Sequence, residues 1–144
     1  MTDRLYYQDS YLTEFQARVV HVSPDAASPD QQRVYLDRTA FYPTSGGQPF
    51  DTGQLGGVKV IEVIDEGDRI AHVLSGRLMQ IEAGQSDVDG RIDLARRFDH
   101  MQQHTGQHLL SAVLLAMFDA PTVSFHLGPE SSTIDIAQSL AARV

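Results

Sequence analysis

The sequence predicts an α+β protein, a small glycine-rich β-barrel followed by part of an α+β domain with a buried helix and antiparallel strands. Three observations point there. Short runs of branched and aromatic residues, broken by glycine and proline turns, occupy most of residues 1 to 92. From about Asp93 the apolar residues take up a helical period through Phe118. Two further strand-like runs then follow Pro121. The chain therefore divides at 92/93, a barrel domain over 1–92 and the N-terminal part of a second domain over 93–144.

Residues 11–22 alternate as a strand does, and the cluster Ser23-Pro-Asp-Ala-Ala-Ser-Pro-Asp30 turns the chain. Residues 33–42 form a second strand, ended by Pro43. Gly46, Gly47, Pro49, Gly53, Gly56 and Gly57 punctuate the loop that follows. The runs 58–64 and 69–74 form a hairpin around Asp65-Glu-Gly-Asp68, and a last barrel strand runs near 88–93. The helix is capped by Asp93 or by Asp99. Its second half, 109–118, is apolar nearly all round, which predicts burial. Residues 123–127 and 132–136 form a second hairpin, and 137–144 begin another helical pattern only about two turns long.

The 144 residues, 42% hydrophobic, suffice for one core or two small lobes. No apolar run approaches the ~20 residues that span a bilayer, and the first residues lack the pattern of a signal peptide, so a cytoplasmic location is expected. With no cysteine, a transition metal would need histidine, carboxylate or water as ligand. The net charge of -8 argues against a broad basic surface for nucleic acid, so an anionic polymer would need a restricted site or another domain.

His100, His104 and His108, half of the six histidines, recur every four residues. On a helix each step turns the side chain by only ~40° and climbs ~6 Å, so the three rings share a stripe. Neighbours can close on one metal ion, whereas His100 and His108 are ~12 Å apart along the axis. The stripe reads as a ligand pair with an accessory histidine, or as polar histidines on an open helix face. It is not His-Glu-x-x-His: glutamine stands at 102, 103 and 107, so the general base of a zinc protease is missing. Further ligands within the chain would have to come from His21, His72, His126 or carboxylates. The pair Gly46-Gly47 serves either a tight turn or close approach to a ligand. Ser124 and His126 share one face of a strand opposite Phe125 and Leu127, facing solvent or a pocket. Spacing assigns no catalytic acid, base or nucleophile.

Three segments together resemble the editing domain of alanyl-tRNA synthetase and the free-standing alanyl-tRNA editing deacylases. Leu36-Asp-x-Thr-x-Phe-Tyr-Pro-x-x-Gly-Gly-Gln-Pro-x-Asp-x-Gly53 is similar to the family's glycine-rich motif. His104-Thr-Gly-Gln-His108-Leu-Leu is similar to its first zinc-binding motif, and Phe125-His-Leu-Gly128 with Thr133-Ile-Asp-Ile136 to the strand pair after it. The resemblance implies zinc-dependent hydrolysis of the ester of alanine tRNA mischarged with serine or glycine, with the tRNA acceptor end as partner. It implies His104 and His108 as zinc ligands. Gly46 and Gly47, with Thr39, Ser124 and His126, become substrate-binding positions, and His100 supports the pair or has no role. Family members complete the zinc site from a later Cys-x-x-x-His, which this chain lacks. It is therefore expected to be the N-terminal part of a longer protein, as the short final helix favours, or a shortened homologue. The alternative functions are a tRNA-binding or protein-interaction module that keeps the fold without a complete zinc site, and an unrelated zinc hydrolase using His21, His72 or His126.

Overall fold

Branched residues alternating with polar ones give the first part of the chain strands with one apolar face, and closing those strands on themselves buries that face. In the computed structural model, which describes residues 1–26, 28, 30–79, 83–128 and 130–139, the chain forms two compact units. The first, Met1–Thr44 with Phe50–Arg97, contains β1 (Asp3–Arg4), β2 (Glu14–Pro24), β3 (Gln32–Leu36), β4 (Arg38–Thr39), β5 (Gly53–Leu55), β6 (Val58–Asp65), β7 (Ile70–Leu74) and β8 (Asp87–Ile92). Six of them close a barrel in the order β2-β3-β7-β6-β5-β8, each neighbouring pair antiparallel, with β8 returning to β2. Val19, Val34, Leu36, Phe41, Leu55, Val60, Val63, Ile70 and Leu74 fill it.

The five strands expected from the sequence are present, and β5 is a sixth. Its three residues, Gly-Gln-Leu, are too few to show a period, so the sequence reads them as loop. The run 33–42 is not one strand: β3 stops at Leu36, and the Asp37 carboxylate accepts the backbone N–H of Arg18 at 2.8 Å.

Two polar groups buried in the barrel unit are fully engaged. His72 on β7 donates from Nδ1 to the Val34 carbonyl at 3.0 Å, which leaves Nε2 to accept the Thr39 hydroxyl at 2.8 Å. Thr39 Oγ1 also accepts the Phe41 N–H at 3.1 Å. Burial pushes the His72 pKa down to about 4, against the opposing effect of the Val34 bond. At the stems of the glycine-rich loop, the Arg97 guanidinium donates from Nε to both Asp51 oxygens at 3.0 Å and from Nη2 to the Ala40 carbonyl at 2.6 Å. Asp51 in turn accepts the Tyr42 N–H at 2.6 Å. Each buried charge thus has a partner and each carboxylate oxygen a donor.

The second unit comprises Ser45–Pro49 and Phe98–Val144, so the tip of the glycine-rich loop is counted with the histidine helix. That helix, α1 (Leu94–Phe118), begins in the first unit. Asp93 caps it, accepting the Arg96 N–H at 3.2 Å, and Asp119, at φ 52°, ends it. Strands β9 (Thr122–Leu127) and β10 (Ser132–Ile136) pair antiparallel, with Phe125 opposite Ile134 and His126 opposite Thr133.

The burial expected for residues 109–118 is not found. Leu109 is 68% exposed, Met117 66% and Leu115 51%. Only one side of the helix is partly covered, along positions 104, 107, 111 and 114, where Thr122 Oγ1 donates to Ser111 Oγ at 2.7 Å. Apolar residues all round a helix call for cover all round, and the described residues supply it on one side. Residues 137–139 are not helical, and the remainder of the helix expected over 137–144 lies outside the described residues.

Candidate functional site

A helix places residues four apart on the same side, and this brings His104 and His108 together. Their rings stack with centroids 4.9 Å apart and planes 18° from parallel. The loop tip Ser45-Gly-Gly-Gln48 meets them within the same unit. Ser45 and Gln48 exchange both backbone bonds, at 3.1 and 2.9 Å, around Gly46 at φ 57° and Gly47 at φ 81°. Two consecutive positive φ values are those of the tight hairpin turn that glycine adopts without steric cost. Gly47 is doubly constrained: its carbonyl accepts the Leu127 N–H at 3.0 Å, and a Cβ there would lie 2.2 Å from the Phe125 carbonyl oxygen. A Cβ on Gly46 would meet nothing within 4 Å.

This turn delivers Gln48, itself buried, to the histidines. Gln48 Oε1 lies 2.9 Å from His104 Nδ1. Phe125 flanks the pair, its ring centroid 6.2 Å from that of His104. Burial, and next the charge of His108, hold the His104 pKa below its ordinary value. Beside the pair, Gln103, Gln107, Leu110, Phe125 and Ile134 line a groove of about 180 Å³.

The donors are of the kind zinc takes, two imidazoles on one helix face. They fit as two ligands of a site, and among the described residues no group of three His, Cys, Asp or Glu forms. His72 is committed to Val34 and Thr39, and His21 stacks obliquely on Tyr35, all within the first unit. His126 is exposed on β9, whose alternation turns it to the face opposite Phe125. Ser124 shares that face and donates to Asp135. Thr39 is buried in the first unit on His72 and Phe41. The structure thus gathers Gly46, Gly47, His104 and His108, while Ser124 and His126 stand on the other face of the hairpin. His100 is buried. The sequence alone assigns no role to Gln48, whose contact is with a residue 56 positions away.

No protein-family profile matches the chain. Individual proteins do. It is 38% identical over 141 residues to the alanyl-tRNA editing protein AlaX-L of Pyrococcus horikoshii, covering 94% of this chain and 34% of that protein. It is 38% identical over 138 residues to the alanyl-tRNA editing protein Aarsd1 of Danio rerio, covering 90% of this chain and 32% of that one. Against the alanyl-tRNA editing protein AlaX-M of Methanosarcina barkeri the identity is 37% over 145 residues, 95% of this chain and 57% of the relative. The chain therefore spans about a third of the first two relatives and somewhat over half of the third.

Proposed function

This chain belongs to the alanyl-tRNA editing protein family, and from that premise we propose that it acts in the hydrolysis of the ester joining a wrong amino acid, serine or glycine, to alanine tRNA. The observation that carries the proposal beyond kinship is the His104–His108 pair, stacked at 4.9 Å and backed by Gln48. Zinc is the proposed cofactor, with His104 and His108 as two of its ligands. Bound there, it would supply Lewis-acid polarisation of an ester carbonyl and a more acidic water.

The residues of the chain do the positioning. Burial lowers the His104 pKa, which favours the form with an unprotonated ring nitrogen that a metal needs. The stack with His108 aims both rings along one helix face, and the half-buried Phe125 restricts water on one side. Gly46, with open space where a side chain would stand, leaves room for the substrate. An ester needs less activation than a peptide, which agrees with the absence of a glutamate between the histidines. The tRNA acceptor end is the proposed partner and the cytoplasm the proposed location. Among the described residues no helix is long and apolar enough to cross a membrane.

The test is deacylation of serine-charged alanine tRNA with zinc supplied. Hydrolysis that falls at least 100-fold in both His104→Ala and His108→Ala is the expected result, on the scale of losing a catalytic metal's support. Undiminished hydrolysis in both variants would remove the assignment. The second reading, a tRNA-binding or interaction module without zinc, is favoured by one observation, that no group of three metal-binding side chains forms among the described residues. It predicts tRNA binding with no zinc in the protein and no hydrolysis.

A further inference from the structure

We propose that Gln48 sets the tautomer of His104, and that the Gly46-Gly47 turn exists to present it. An amide oxygen only accepts, so at 2.9 Å from Gln48 Oε1 the His104 Nδ1 must carry the proton. Nε2 is then left with its lone pair. A free neutral imidazole side chain prefers the opposite arrangement, with the proton on Nε2, so the preference has to be imposed. Gln48 is placed to impose it: it is buried, and its backbone is fixed on both sides by the bonds to Ser45. The turn is pinned in its turn by the Gly47 carbonyl on Leu127.

This gives the paired glycines a second role. Gly47 is glycine because the loop backbone presses on the Phe125 carbonyl, where a Cβ would stand at 2.2 Å. That contact sets how far Gln48 reaches over the helix. The glycine pair thus acts on the reacting centre through a side chain and a ring nitrogen, besides the room it leaves for a substrate. Gln48 is a positioning residue, one that orients a ligand through its far nitrogen. The consequence for metal rests on the reading of His104 and His108 as zinc ligands; the tautomer itself does not.

The experiment is nitrogen-15 NMR of the imidazoles in the full chain, metal-free and at pH 8, followed by titration with zinc(II). His104 is expected to carry its proton on Nδ1. In Gln48→Leu the proton moves predominantly to Nε2 and the zinc dissociation constant rises 10- to 100-fold, on the order expected for losing an outer-shell partner. Gln48→Glu, which keeps an acceptor, retains the Nδ1 proton and binds within a few-fold of the unchanged chain. A proton on Nε2 in the unchanged chain overturns the inference without any variant, as does an unchanged tautomer in Gln48→Leu. A chain with Nδ1 protonated that takes no zinc leaves the tautomer assignment standing and overturns the zinc reading alone.

Discussion

The barrel unit and the helix-hairpin unit satisfy their residues to different degrees. In the barrel unit, apolar side chains such as Phe41, Leu55 and Leu74 are fully buried, and buried polar groups such as His72 and Asp51 have partners within the unit. In the second unit, Leu109, Val113, Leu115 and Met117 are exposed on a helix with no charged residue from Met101 to Phe118. Its polar contacts include the one at the candidate site, Gln48 to His104 at 2.9 Å. The barrel unit encloses its own apolar side chains, whereas the second unit leaves apolar side chains exposed beside a stacked pair of histidines.

The largest difference should come from the buried ion pair. Asp51→Ala leaves the Arg97 guanidinium buried without its carboxylate and should cost about 3–5 kcal/mol in urea unfolding. Asp87→Ala, which removes the exposed partner of Arg18, should cost about 0–1 kcal/mol.

Next comes acid. His72 has a pKa lowered to about 4 in the folded chain, so between its ordinary value of 6.5 and 4 the unfolded chain binds a proton that the folded chain does not. Stability from this residue is complete above pH 6.5 and falls as the pH drops toward 4, by about 3 kcal/mol in all. Unfolding midpoints measured across that window should flatten in His72→Gln.

A third comparison lies within the loop. Gly46→Ala should cost the ~1–2 kcal/mol of a left-handed φ. Gly47→Ala adds the clash with the Phe125 carbonyl and should cost more, while also releasing the Gln48–His104 bond, visible as a changed His104 tautomer. Equal effects at the two glycines would contradict the geometry described. The smallest effects belong to the exposed helix: Leu109→Ser and Met117→Ser should each change stability by no more than about 0.5 kcal/mol, against about 2–5 kcal/mol for Leu74→Ala in the barrel.

Much of this was legible in the residues. Alternation located β2, β3, β6, β7, β8, β9 and β10 because each is long enough to show its period, and the four-residue spacing of His104 and His108 held because α1 is continuous through both. The strand β5 was hidden by its length, and Asp37 divided β3 from β4 through a bond to Arg18 that no local pattern reveals. The apolar stretch 109–118 predicts burial that the structure does not show, because composition records what a surface needs, not what covers it. Gln48 escaped because its role depends on a contact across 56 positions of sequence. The bond of Thr39 to His72 within the barrel unit joins residues far apart in the chain, which no local pattern reveals.

The proposed function depends on whether His104 and His108 hold a metal. Elemental analysis of the purified, folded chain after incubation with zinc(II) and desalting should find zinc in the unchanged protein and none in the His104→Ala, His108→Ala double variant. A folded chain without zinc, or a double variant that keeps it, would contradict the proposed centre.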